Sequence, residues 1–255
     1  MKNLKYKFIS SLLATSILSG CAAKGFNTYN YHGGQGGFNE VMNRAVVSGN
    51  FNSMWDKLVR QLTESFFVVN NISKDSRLIN VSFSSNSPED YVDCGTTTRT
   101  YKRGDEEKNY AYPVASSSSY KYAYDSEYPN FAASVGDIYG SFAYNSYIDR
   151  ETDLEGRINI YVAPNTKKQG TEIVANIRYI LTITVKGKVV QEANNGQHIA
   201  TWPVPDAESV LSFNTNVLSF YTNEVYSSKD NPPIVCFSKG VLEETILKMA
   251  GKASS

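Results

Sequence analysis

The sequence feature that most constrains the fold is a predicted helix followed by two strands, within residues 52–95. Apolar side chains recur there at spacings of three and four, which places them on one face of a helix: Met54, Trp55, Leu58, Val59, Leu62 and Phe66. Asn52 or Ser53 can cap the first free N–H groups, and Ser53 with Asp56 has the form of a capping box. The pattern predicts an amphipathic helix that must bury its apolar stripe.

Two runs of β-branched and aromatic residues follow this helix, from Phe66 to Ile72 and from Arg77 to Phe83. The segment between them, residues 73–76, is rich in turn-forming residues. Ile79, Val81 and Phe83 share one face of the second run. We therefore expect an antiparallel hairpin whose apolar face covers the helix.

The clearest strand lies further along the chain. Alternate residues from Ile173 to Val185 are apolar without a break, which is typical of a half-buried antiparallel strand. Hairpin turns are expected at residues 163–170 and at Lys186-Gly187-Lys188. A transmembrane barrel shares this alternation, but one or two such strands are too few and the predicted helices argue against it.

The chain ends with a predicted strand and a predicted helix. The strand runs from Pro232 to Phe237, and the helix from Val241 to Met249 presents a stripe that includes Leu242 and Ile246. Together these patterns predict the α+β class. The expected architecture is a single domain in which N-terminal and C-terminal helices pack on an antiparallel sheet.

The first twenty residues have the three parts of a secretory signal peptide. Lys2, Lys5 and Lys7 precede a short apolar run, and small residues lead up to Cys21. Leu18-Ser19-Gly20-Cys21 resembles the bacterial lipobox, which implies that Cys21 becomes the lipidated first residue. An ordinary signal peptide with a chance cysteine is the alternative. In lipoproteins of this kind an Asp after the cysteine marks the inner membrane, so Ala22 implies the outer membrane, with the protein facing the periplasm or the cell exterior.

The charge balance does not favour a polyanionic partner. The chain has 25 basic and 25 acidic residues, and removal of Lys2, Lys5 and Lys7 leaves 22 basic residues and a net charge near −3. Nothing in this balance indicates nucleic acid or an anionic lipid surface as a partner. We expect membrane contact through the lipid anchor alone.

Two cysteines are left once Cys21 is assigned to lipid. In an oxidising compartment Cys94 and Cys236 are expected to form a structural disulfide. A metal-binding or catalytic thiol pair is the alternative, although neither cysteine belongs to a Cys-x-x-Cys motif or lies near a histidine. The bridge ties the early helix and hairpin to the C-terminal end, which favours one cooperative domain.

The remaining boundaries follow from composition. Residues 21–37 are rich in Gly, Asn and Tyr without apolar periodicity, and predict a flexible tether from the lipid. The folded domain is expected to span residues 38–251, with a short helix through residues 38–47 and a tail at residues 252–255.

Ten of the eighteen tyrosines lie between residues 96 and 147. Tyr120, Tyr122 and Tyr124 alternate with smaller or charged residues, so they are expected on one face of a strand. Exposed, they would form an aromatic surface for a glycan, a small apolar ligand or a protein partner. Buried, they would pack within the sheet, and this second interpretation is the simpler one.

Motifs for catalysis are not found in the sequence. There is no His-Glu-x-x-His, Gly-x-Ser-x-Gly or phosphate-binding loop, and the mature chain keeps only His32 and His198. Ser118-Ser119-Tyr120-Lys121 matches Ser-x-x-Lys, but it lies in a predicted strand without its companion motifs. We expect no enzyme, no cofactor and no metal site.

Short stretches resemble known envelope proteins. "Trp-Asp-Lys-Leu", "Phe-Phe-Val-Val-Asn-Asn-Ile", "Tyr-Val-Asp-Cys-Gly" and "Val-Cys-Phe-Ser-Lys-Gly" resemble uncharacterised lipoproteins of Gram-negative bacteria. The helix followed by a strand pair is similar, over about 45 residues, to the helix-grip domains of the outer-membrane assembly lipoprotein BamC. This resemblance implies a non-catalytic accessory component of outer-membrane assembly, secretion or pilus machinery. The alternative is a module that binds cell-wall glycan or a small apolar ligand through residues 101–147.

Overall fold

The fold is built mainly from strands. The computed structural model describes residues 23–34, 40–124, 142–193, 195–217, 219–221 and 233–251. Within this part of the chain there are thirteen strands: β1 (Gly25–His32), β2 (Arg44–Ser48), β3 (Val68–Ser73), β4 (Leu78–Ser85), β5 (Val92–Asp93), β6 (Thr96–Arg103), β7 (Glu106–Pro113), β8 (Ser118–Ala123), β9 (Phe142–Asn165), β10 (Gly170–Ala193), β11 (His198–Asn214), β12 (Ser219–Tyr221) and β13 (Ile234–Ser238). The helices there are α1 (Phe51–Thr63), α2 (Val241–Met249) and a short 3₁₀ turn, Pro88–Asp90.

A single long hairpin forms the centre of the structure. Strands β9 and β10 have 24 residues each and pair antiparallel over their whole length, from Gly170 opposite Asn165 to Ala193 opposite Phe142. At about 3.3 Å per residue such a strand extends roughly 80 Å along its path. Burial alternates along most of both strands, with Leu154, Ile158 and Leu181 among the buried residues. The strand alternation predicted for residues 173–185 is therefore confirmed.

Each long strand pairs with two shorter ones, and together they form a seven-stranded sheet. On the free side of β9, strand β4 covers Leu154 to Tyr161 and β8 covers Asn145 to Arg150. On the other side of β10, strand β2 pairs with residues Gly170 to Val174, and β11 pairs with most residues from Arg178 to Glu192. Strand β3 extends the sheet beyond β4.

Two three-stranded sheets complete the strand architecture of the described residues. One has the order β1-β6-β7 and packs near β8, and the other has the order β12-β13-β5. The disulfide between Cys94 and Cys236 joins the chain after β5 to β13 and is buried, which confirms the predicted pairing. Gly95 follows directly with φ +76°, and an added Cβ would collide with the carbonyl oxygen of His32, so this turn into β6 requires glycine.

The main core lies between one face of the seven-stranded sheet and the two helices. Helix α1 begins after Asn50, whose Oδ1 accepts the Ser53 N–H at 2.9 Å. The N-cap residue is therefore Asn50 and not the predicted Asn52 or Ser53. Met54, Trp55, Leu58 and Leu62 are buried as predicted. The predicted helix Val241–Met249 agrees with the observed α2 in both bounds. Its Leu242 and Ile246 complete this core.

One carboxyl group lies inside this core. Glu243, in the first turn of α2, has no exposed surface. It accepts hydrogen bonds from Tyr179 Oη at 2.9 Å and Thr215 Oγ1 at 2.7 Å, and Ser238 Oγ lies 3.1 Å from both carboxyl oxygens. Three hydroxyl groups thus satisfy the buried carboxyl and connect β10, β13 and α2.

The predicted fold class is wrong. Of the residues that the structure describes, 63% lie in strands and 14% in helices, so the fold belongs to a mainly β class and not to a helix-packed α+β class. Two of the three predicted helices are present, as α1 and α2. The error lies in segments that were predicted to be a helix or to have no regular structure. These segments are strands without a regular alternation of polar and apolar residues, and they gain their stability from partner strands distant in sequence.

Three such segments are strands. Gly25–His32 of the predicted tether pairs with all eight residues of β6, so it is not a flexible linker. Residues 44–48, expected in a short helix, form β2. Lys186-Gly187-Lys188 is not a hairpin: β10 continues to Ala193, and the pairing with β11 shifts register at Gly187. Residues 1–20, Cys21 and residues 252–255 lie outside the described part of the chain.

Removal of the disulfide is expected to destabilise the domain substantially. The bridge closes a separation of 142 residues, and loss of a native disulfide typically lowers the free energy of unfolding by about 2–5 kcal/mol. Urea unfolding of Cys94→Ser/Cys236→Ser against the oxidised protein measures this difference. Equal midpoints would contradict a structural role for the bridge.

Stability is expected to fall at alkaline pH because of Tyr179. Burial, followed by the neighbouring Glu243 carboxyl group, raises the pKa of Tyr179 above its usual value of 10.0. Above about pH 10 the unfolded chain loses this proton while the folded protein keeps it, so the free energy of unfolding decreases as pH rises, by up to about 1.4 kcal/mol per pH unit.

Urea unfolding between pH 9 and pH 12 tests this expectation. Tyr179→Phe should reduce the alkaline slope, even though it lowers stability at neutral pH by leaving Glu243 with one donor fewer. Tyr161→Phe, at an exposed tyrosine, is the matched control. An unchanged slope in Tyr179→Phe would show that Tyr179 does not contribute to the pH dependence.

Candidate functional site

The tyrosines singled out from the sequence lie mostly inside the protein. Tyr120 is 7% exposed, and its ring stacks on that of Tyr112 with centroids 6.1 Å apart. Tyr122 and Tyr124 continue the series of ring contacts at 6.5 and 6.4 Å and are half-buried. Tyr112, Tyr120 and Ile148 form a second core, with Tyr122 packed against it, between the β1-β6-β7 sheet and the far end of the long hairpin. They do not form an exposed aromatic surface.

Cations are inserted between these rings. The Arg99 guanidinium lies 4.5 Å from the ring centre of Tyr29 and 4.4 Å from that of Tyr120, and its Nε donates to Tyr112 Oη at 2.8 Å. Stacked in this way, Arg99 of the β1-β6-β7 sheet contacts Tyr120 of the seven-stranded sheet, and each such cation–π contact contributes about 0.5–2 kcal/mol. Arg150 makes a similar contact over Tyr112 at 5.6 Å.

Lys121 forms the third such contact. Its side chain is 8% exposed, and Nζ lies 4.6 Å from the ring centre of Tyr101 and 2.9 Å from Glu106 Oε2. Burial raises the pKa of Glu106, but hydrogen bonds from Lys121 and Lys108 outweigh it and hold this pKa below its usual value. The buried lysine, held between tyrosine rings and the more exposed Glu106, fits a structural role.

The open face of the seven-stranded sheet, opposite the helices, has a more regular pattern. Four asparagines lie directly opposite one another on four neighbouring strands, in an arrangement we call the asparagine row: Asn71, Asn80, Asn159 and Asn176. Asn80 donates to Asn159, and Asn43 Nδ2 donates to Asn176 Oδ1 at 2.9 Å. With strands about 4.8 Å apart, the row presents amides over roughly 14 Å.

Two arginines lie beside this row. Arg157 on β9 and Arg178 on β10 are directly opposite each other, and both are exposed. We call them the arginine pair. Arg178 Nε donates to Ser212 Oγ at 3.1 Å. Within the described residues, neither guanidinium lies within 4.0 Å of a carboxylate oxygen. Like charges directly opposite in a sheet are destabilising, so folding alone does not account for the pair.

A cleft of about 470 Å³ opens at the edge of the same face. Strand β4 extends beyond the beginning of β3, so Phe83 to Ser85 have no partner on that side among the described strands. Phe66 and Val68, at this end of β3, are 57% and 63% exposed. Phe66 was predicted on the buried stripe of α1, but the helix ends at Thr63 and Phe67 takes the buried position.

Comparisons with known proteins provide no identification. No protein-family model, curated protein or solved structure matches the chain. Among the residues that the structure describes, no group of three or more His, Cys, Asp or Glu side chains could hold a metal ion. None of the helices in the described ranges is long and apolar enough to cross a membrane.

Replacement of one arginine of the pair is expected to stabilise the protein. Arg178→Thr removes a like-charge contact and introduces a residue that favours strands, so the free energy of unfolding should increase by about 0.2–1 kcal/mol. Arg44→Thr is the matched control on the same face, because Arg44 has an ion pair with Glu172 at 3.5 Å. Urea unfolding at low salt makes the comparison. A loss of stability in Arg178→Thr would indicate that the pair is a structural element.

Proposed function

We propose that this protein is an outer-membrane lipoprotein and a non-catalytic accessory component of an envelope assembly, in outer-membrane assembly, secretion or pilus machinery. The sequence Leu18-Ser19-Gly20-Cys21 supports the anchor, and a triacylated cysteine is a stable one because several acyl chains act together. The protein is expected to face the periplasm, with envelope proteins as its partners.

The observation that carries the docking role is the exposed apolar end of strand β3. Phe66 and Val68 are more than half exposed beside the cleft, and large apolar side chains that remain accessible together commonly mark protein contacts. Phe66 is also held in place, because its ring contacts those of Phe67 and Phe83 at 4.4 and 5.7 Å. A preorganised aromatic side chain binds with a small loss of conformational entropy.

The backbone at this edge adds a second means of contact. Among the described strands β3 pairs only with β4, and the register shift between Val69 and Asn71 marks a bulge that limits indiscriminate pairing. An extended partner segment can add to such an edge by main-chain hydrogen bonds, with its side chains in the cleft. We therefore propose that the partner contributes an extended segment with an apolar side chain for the Phe66 and Val68 surface.

Crosslinking in the native envelope tests this proposal. A photo-crosslinking amino acid in place of Phe66 should capture the same envelope components reproducibly, and the capture should disappear in a Cys21→Ala background. Val68→Lys should reduce recovery roughly fivefold or more, because loss of a central contact costs over 1 kcal/mol. The matched control is Val210→Lys, at a valine 49% exposed on β11.

Each outcome of this experiment has a clear meaning. Defined components that depend on both Cys21 and Val68 would support a lipid-anchored accessory protein. Capture that is equal in Val68→Lys and Val210→Lys would exclude the β3 edge as the docking surface. Capture that survives Cys21→Ala unchanged would exclude a role for the anchor.

A further inference from the structure

The arginine pair is a cationic group that has no carboxylate partner within the described part of the chain. Arg157 and Arg178 are cross-strand neighbours, whose Cα atoms lie about 4.5–5.5 Å apart in an antiparallel sheet. The hydrogen bond from Arg178 Nε to Ser212 orients one guanidinium and leaves its terminal N–H groups available. Two planar guanidinium groups side by side match the paired oxygens of a carboxylate.

The surroundings of the pair match hydroxyl groups. On the same face, Asn159 lies two residues beyond Arg157 on β9, and Asn176 lies two residues before Arg178 on β10. The side-chain bonds to Asn80 and Asn43 hold both amides in place without using their full hydrogen-bonding capacity. An amide both donates and accepts, as a sugar hydroxyl group does.

The composition of this face favours a glycan over a protein segment as its ligand. Cores of protein interfaces are enriched in aromatic residues and Met and depleted in Ser. The cross-strand neighbours of Arg157 and Arg178 are Ser82 and Asn214, and Ser212 accepts a hydrogen bond from Arg178. The apolar residue of this row is Val68, opposite Ser82 at the edge of the sheet. Recognition here depends on many hydrogen bonds over a flat surface and not on burial of apolar anchors.

Acidic residues on the same face limit the charge of the occupant. Asp153 and Glu155 precede Arg157 along β9, facing the same side and exposed. A densely charged polyanion would meet repulsion there, whereas a polymer with one carboxylate among many hydroxyl groups would not.

We propose that the open face binds an acidic glycan. A sugar carboxylate lies on the arginine pair, and neighbouring hydroxyl groups lie on Asn159, Asn176 and the flanking serines. This site adjoins the β3 edge that docks a partner protein, because Arg157 and Ser82 line the same cleft as Phe66 and Val68. It adds a ligand class to the protein's role in the envelope, and it does not require that role to be correct.

Titration calorimetry on the full chain in detergent tests the site with four probes. An oligouronate from alginate and glycan strands of peptidoglycan stripped of peptides both carry sugar carboxylates, whereas a dextran oligomer carries none. Polyglutamate supplies carboxylates without sugar hydroxyl groups. Binding of either acidic glycan, with neither dextran nor polyglutamate bound, is the expected result, and the stronger of the two identifies the source of the carboxylate.

Two double variants test the residues. Arg157→Gln/Arg178→Gln and Asn159→Ala/Asn176→Ala should each weaken glycan binding roughly tenfold or more, because each removes several hydrogen bonds to the ligand. Lys167→Gln/Lys168→Gln removes the same positive charge from the turn between β9 and β10 and should leave binding unchanged. Circular dichroism confirms folding of each variant.

Three results would overturn the proposal. They are equal binding of polyglutamate and oligouronate, an equal loss of binding in the lysine control, and no binding of either acidic glycan to the folded protein. The first would indicate a general anion site suited to an acidic protein segment. The Cys21 and Val68 experiments remain informative in every case, because they measure capture of an envelope protein and not binding of a glycan.

Discussion

The pairing of β9 with β10 is the interaction on which the rest of the structure depends. Twenty-four residue pairs in one unbroken register fix which side chains of both strands face the helices and which face the open side. Because side chains alternate along a strand, a slip of one residue would exchange the two faces. Strands β2, β4, β8 and β11 all add to this hairpin and take their register from it.

The β9–β10 hairpin is long enough to contribute to two separate hydrophobic cores, one at each end, and different elements cover each of them. Near the turn, α1 and α2 cover an aliphatic face of Ile, Leu and Val, and the disulfide joins β13 to the chain after β5 within the same core. At the far end the covering layer is the β1-β6-β7 sheet, and the contact consists of tyrosines with Arg99, Lys121 and Arg150 between their rings. The tyrosine-rich segment is thus explained by packing between two sheets.

The open face has side chains that this packing does not require. Like charges directly opposite in a sheet lower stability, and among the described residues the arginine pair has no carboxylate partner. Asparagine is a poor strand former, yet asparagines lie directly opposite one another on neighbouring strands. Residues that reduce stability at an ordered surface are a common mark of function. The exposed end of β3 differs in being apolar, and it borders the arginine pair, because Phe66 and Val68 line one cleft with Arg157.

Local elements could be predicted from spacing within a short window of residues. They are α2 in both bounds, the buried residues of α1, the β3–β4 hairpin and the alternation of β10. The sequence also indicated the Cys94–Cys236 pair, since only two cysteines remained. It missed β1 and β2, which are strands only because β6 and β10 pair with them. It gave no sign of the asparagine row or the arginine pair. Asn80, Asn159 and Asn176 are ordinary polar positions along the chain, and only the register between strands distant in sequence, which tertiary packing decides, aligns them.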